Sequence, residues 1–379
     1  MQMLHFDYRD VLRAPRLAWS VRKLYVSFIG ICIAWGVYLV FTYSALYITP
    51  FRKNIGMILL FRHFEFFPTI ISTEPGIFSW IMWGVGIVFA LCILLFTAVS
   101  VARIAFEDLR GNDVFRIKEA LQFARTHGVT VIISIAVLGL LCMVFPVTIV
   151  CFGLIGRIPF FGEFLLAILY LPFYLWGLLG ITVFIVFLFG TVLIPAISAC
   201  LGEDVLEIII QTFSSFFLQP LRLICYEIVA KVVIIVSSFI LFLISCLTLN
   251  MMYIILSIFM GSTFNELLTV ALYRLPFVME SRSIVKAIIE WGEIVQIPYI
   301  VDTAMVSTTV QVAGWIFGLS QLIILTWIFS YFFCTVTSSQ VLIYSAIRKH
   351  KNGDDLRLKG PITQFVPETP KNNLNTTKT

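Results

Sequence analysis

Charge is what this sequence has least of. Only 12% of its 379 residues are Asp, Glu, Lys or Arg, about half the roughly 25% of an ordinary soluble domain. So little charge cannot coat a water-facing surface of this size, which excludes a soluble globular protein and a charge-rich disordered chain. Cysteine is missing wherever it would form a framework. All eight (Cys32, Cys92, Cys142, Cys151, Cys200, Cys225, Cys246, Cys334) fall within or at the edge of apolar runs, and no C-x-x-C occurs. That pattern fits apolar thiols and excludes both a disulfide scaffold and a zinc ligand set. The four histidines (His5, His63, His127, His350) are scattered. H-E-x-x-H, Walker A, G-x-G-x-x-G and G-x-S-x-G are all absent. No enzyme activity, cofactor, metal site or nucleic-acid partner is expected. The nearest candidate for phosphate chemistry, Asp108, Asp113 and Glu119 around Arg110, is ordinary for a loop between spans.

What the sequence has is apolar length. Sixty per cent of residues are apolar and the mean hydropathy is +1.00. A hydrocarbon core about 30 Å thick needs roughly 20 apolar helical residues. Six stretches meet this, near 24–47, 77–102, 129–154, 164–195, 224–260 and 309–346. They are continuously apolar rather than alternating, as in Val183–Leu193, which excludes β-barrel strands. The expected fold is all-α, a polytopic transmembrane helix bundle of about six spans with interfacial amphipathic helices. A basic segment 1–23 precedes the membrane domain 24–346, and a polar tail 347–379 follows it, disordered beyond 360. Of the 26 Lys and Arg, nineteen fall before span 1, between spans 2 and 3, around the start of span 5, or in the tail. The positive-inside rule then places both termini in the cytoplasm and the protein in a cytoplasmic (inner) membrane. With its long polar lead, span 1 reads as an uncleaved anchor.

One unit recurs. Gly111-Asn112-Asp113-Val114 follows span 2, Gly202-Glu203-Asp204-Val205 follows span 4, and Gly353-Asp354-Asp355-Leu356 echoes them after span 6. Gly ends one helix and the acid caps the next; Asp204 with Glu207 forms a variant capping box. Cytoplasmic amphipathic helices are expected near 113–127 and 204–219. In the second, Val205, Ile208, Ile209, Phe213 and Phe216 face the lipid, with Glu207, Gln211, Ser214 and Ser215 opposite. In the outer loop 261–308, Ser283 can cap another amphipathic helix.

Two features inside the spans stand out. Glu227 and Lys231, four residues apart near the start of span 5, are spaced for an ion pair. They serve either as a structural anchor or as part of an ion or substrate pathway. Gly314 and Gly318 form a G-x-x-x-G that lets helices approach closely.

The run Asp10-Val11-Leu12-Arg13-Ala14-Pro15-Arg16-Leu17, together with Ile194-Pro195-Ala196-Ile197-Ser198 before Gly202-Glu203-Asp204, resembles a group of uncharacterised polytopic bacterial integral membrane proteins. The layout of residues 8–358 is also similar to the membrane domain attached to some glycerophosphoryl diester phosphodiesterases. The resemblance implies a membrane fold and no catalytic residue. The expected role is therefore a non-enzymatic scaffold or regulatory component in contact with membrane lipids, protein partners or a second copy of itself. The alternative is a permease or lipid-handling transporter.

Overall fold

A computed structural model describes residues 6–48, 68–70, 76–112, 114–158, 160–273, 307–353 and 356. They form ten helices: α1 Tyr8–Val11, α2 Ala14–Ala18, α3 Val21–Ile48, α4 Ile77–Arg110, α5 Ile117–Ile155, α6 Phe161–Leu201, α7 Val205–Leu218, α8 Pro220–Met260, α9 Ser262–Tyr273 and α10 Thr308–Asn352. No strand occurs among the described residues. Six helices (α3, α4, α5, α6, α8 and α10) are long and apolar enough to cross a bilayer. The protein is an all-α polytopic membrane bundle. At 1.5 Å per residue, the 45 residues of α10 reach roughly 68 Å, about twice the hydrocarbon thickness. The long helices therefore carry extensions beyond any single crossing.

Those extensions share the main core, whereas much of the opposite halves of α5, α6 and α8 is exposed. The main apolar cluster joins Val99, Ala102 and Phe106 of α4, Ala124 and Val131 of α5, Leu193 to Cys200 of α6, Ile208 of α7, and Val341 to Tyr344 of α10. The far halves of α5, α6 and α8 instead expose Leu140, Tyr170, Leu171, Ile235 and Phe259. Hydrocarbon would solvate these side chains as well as another helix could, so only the packed end has to be filled by protein.

The repeated glycines have a common job. Gly111, Gly202 and Gly353 each occupy the left-handed region, at φ 85°, 64° and 70°, as the C-caps of α4, α6 and α10. The Gly353 N–H closes on Lys349 O at 2.9 Å and that of Gly202 on Ser198 O at 2.8 Å. A residue with a Cβ is disfavoured in that conformation. Asp113, Asp354 and Asp355 lie outside the described residues. Asp204 is the N-cap of α7 but makes no side-chain cap bond. Its expected capping partner, Glu207, instead accepts from Gln211 Nε2 at 2.6 Å.

Two expectations about amphipathic helices need correction. There is no separate helix near 113–127: from Ile117 the chain runs unbroken into the third span as α5. No breaker separates the two parts, and Gly128 sits so close to Phe96 of α4 that the junction is a packing contact rather than a turn. The second, α7, exists, but its faces differ from the expected ones. Ile208, Thr212 and Ser215 are buried, while Leu206, Ile210, Phe217 and Leu218 are exposed. Ser215 tolerates burial because its hydroxyl donates to Gln211 O at 2.7 Å. The Ser283 helix of the outer loop lies outside the described residues, as does the tail beyond 360.

The G-x-x-x-G of α10 receives α9. A Cβ on Gly314 would stand 2.8 Å from Val270 Cβ, and one on Gly318 3.6 Å from Ala271 O. Beside this crossing, Tyr253, Phe264 and Phe317 form a ring cluster with centroids 6.0–6.1 Å apart. The Gln321 amide donates to the Tyr253 hydroxyl.

Candidate functional site

The charged residues at the end of the second span do not trail into solvent. α4 carries Arg103, Glu107, Asp108 and Arg110 in its last two turns, and carboxylates there oppose the helix dipole. Cations offset them. Lys23 Nζ lies 2.9 Å from Asp108 Oδ2 and also donates to Leu17 O. Arg22 reaches Asp108 Oδ1 at 3.1 Å and donates to Phe115 O at 2.8 Å. Glu107 Oε1 takes Arg103 at 2.7 Å and Arg110 at 3.3 Å. Arg103 donates its other terminal nitrogen to Ala199 O at 2.8 Å and stacks its guanidinium 4.6 Å from the Phe123 ring centre.

This lattice ties together α2, α3, α4, the 111–116 turn, α5 and α6. Arg110 pairs with Glu107, and Glu119 accepts from Arg116 N–H at 3.5 Å. Among the described residues no group of three His, Cys, Asp or Glu is placed to hold a metal.

The N-terminal run Asp10–Leu17 is built into the same end. Val11 and Ala14 are fully buried, and Ala14 and Leu17 share the main cluster with Ile194, Ala196 and Ile197. The two short motifs on which the resemblance rested thus touch one core. Asp10, also buried, accepts from Phe6 N–H at 2.6 Å.

Sequence reasoning passed over a third feature, the run Thr335-Val336-Thr337-Ser338-Ser339-Gln340. Its polar members are all buried. Most of its hydroxyls bond within the helix, as Thr335 does to Tyr331 O at 2.8 Å and Ser339 to Val336 O at 2.7 Å. Such bonds let small polar residues lie in an apolar bundle and bring backbones close. Ser338 Oγ, Gln340 Oε1 and, on α6, Ser198 Oγ have no partner. A nearly continuous polar hexapeptide inside a long apolar helix was the available signal.

Glu227 belongs to this region. Its side chain is buried, whereas that of Lys231 is 63% exposed and its Nζ stands 4.0 Å away, the outer limit of an ion pair.

No protein-family model, curated protein or solved structure matches the chain.

Proposed function

We propose that this membrane protein is a non-enzymatic scaffold or regulatory component with both termini in the cytoplasm of a bacterial cell. In this reading the packed end is a rigid cytoplasmic-side platform, and the exposed outer halves of α5, α6 and α8 contact lipid or partner spans. One observation carries it. The charges of the packed end are engaged with one another and with backbone carbonyls across five helices, an arrangement suited to holding a shape. A catalytic centre would instead aim such groups at a substrate.

A permease or lipid-handling transporter is the second reading, favoured by the buried polar run on α10. Purification in mild detergent, with mass spectrometry of bound proteins and lipids, followed by reconstitution into vesicles, separates the two. The scaffold reading expects a stoichiometric protein partner or self-association, and no acceleration of lipid transbilayer movement or solute efflux. Accelerated movement or efflux would overturn it.

A further inference from the structure

Arg348 and Lys351 of α10 differ from the cations around α4. Lys23 and Arg22 sit on Asp108, and Arg103 and Arg110 on Glu107. Arg348 and Lys351 have no carboxylate within ion-pair distance among the described residues, and the groups they bond are neutral. Arg348 Nη1 donates to the Tyr344 hydroxyl at 2.9 Å, and its buried Nε has no acceptor. Lys351 Nζ donates to Ser214 Oγ at 2.6 Å and to Gln211 Oε1 at 3.4 Å, both on α7. Glu207, the carboxylate of that row, is taken by the Gln211 amide at 2.6 Å. Tyr344, Arg348 and Lys351 recur at helical spacing, so both cations lie on the face of α10 that meets α7.

α7 sets the surroundings of the two cations. Ile208, Thr212 and Ser215 are buried on one side, and Leu206, Ile210 and Phe217 form an exposed apolar stripe on another. At helical spacing, Glu207, Gln211 and Ser214 run between the two. An amphiphile whose anionic head bonds Arg348, Lys351 and Ser214 therefore lays its chains over the Leu206–Phe217 stripe. A free phosphate ion would leave that stripe uncovered. Phosphate oxygens also match a guanidinium that Tyr344 leaves largely unused. The cations outnumber the carboxylate, which favours a head of net negative charge over a zwitterionic one.

We infer that Arg348, Lys351 and Ser214 form a binding site for the headgroup phosphate of an anionic phospholipid, at the seam between α7 and α10. The site goes beyond the scaffold reading and does not rest on it, because a lipid held here is measured by retention and not by transport.

The test uses the full chain in mild detergent and native mass spectrometry with added phosphatidylglycerol, phosphatidylcholine or inorganic phosphate. Phosphatidylglycerol should be retained over phosphatidylcholine, and excess inorganic phosphate should not displace it. Arg348→Gln combined with Lys351→Gln should weaken retention about tenfold, the loss expected for one or two charge-assisted hydrogen bonds. Lys231→Gln, which removes an exposed cation on α8, should leave it unchanged. A photoactivatable phosphatidylglycerol, diluted into phosphatidylcholine vesicles holding the wild-type chain, should label the peptide containing Ser214 and Phe217. That measurement keeps the test decisive if the double variant fails to fold. Equal retention of the two lipids, an undiminished double variant, an equal loss in Lys231→Gln, or labelling that misses α7 would overturn the proposal. Displacement by inorganic phosphate would assign the site to a soluble anion and overturn the lipid assignment.

Discussion

Lys23 and Asp108 meet at 2.9 Å across the seam between α3 and α4, and Lys23 is 1% exposed. The lysine also donates to the carbonyl of Leu17, so a single ammonium fastens the N-terminal segment, the first span and the second.

The two partners are not equivalent. Asp108→Asn leaves the Lys23 charge buried, and removing one member of a buried pair costs about 3–5 kcal/mol. Lys23→Met leaves Asp108 with Arg22 at 3.1 Å, so its cost should be smaller. Thermal aggregation in detergent should rank wild type first, Lys23→Met second and Asp108→Asn last. The double variant should recover part of the Asp108→Asn loss. The reverse ranking of the single variants would count against the assigned geometry.

Arg103→Lys keeps the charge and loses the planar fork. A lysine cannot bond Ala199 O and Glu107 together while lying flat against Phe123. A loss of about 1–3 kcal/mol is expected from the stranded partners. It would be measured as a lower aggregation temperature at unchanged helix content.

Two glycines of the first span should respond oppositely. A Cβ on Gly30 would overlap the Thr97 side chain of α4, whereas one on Gly36 meets nothing within 4 Å. Gly30→Ala should cost about 1–3 kcal/mol by overpacking, and Gly36→Ala should be neutral. Equal effects of the two would contradict the close α3–α4 seam.

Lys231→Met should change stability little. The side chain is largely exposed and sits at the outer limit of pairing with Glu227, and exposed pairs contribute about 0–1 kcal/mol. A loss as large as that of Asp108→Asn would restore the Glu227–Lys231 ion pair as the main tie at this position.

The distribution of Lys and Arg predicts that both termini face the cytoplasm. A reporter that works only in the cytoplasm should be active when fused after Thr379. A stably expressed but silent fusion would reverse the orientation.

The sequence by itself determined the class and the spans. Each expected apolar stretch became a helix, because a backbone in hydrocarbon has no partner for its N–H and C=O groups except its own helix. Hydropathy therefore reads directly as structure. The glycines of the recurring unit were legible for a similar local reason, since ending a helix in the left-handed conformation is a property of Gly111, Gly202 and Gly353 themselves. What the tertiary structure decided depends on neighbours that are distant in the chain. Whether 117–127 lies on the membrane or continues into a span depended on Gly128 meeting Phe96 of another helix. Which face of α7 is covered depended on the ends of α5, α6 and α10 around Thr212. Glu227 has Lys231 four residues away in sequence, yet only the carboxyl is buried, while the lysine side chain is exposed and its ammonium stands 4.0 Å away. Spacing along one helix shows which side chains can reach each other on that helix. It carries no information about which groups a second helix brings across the seam.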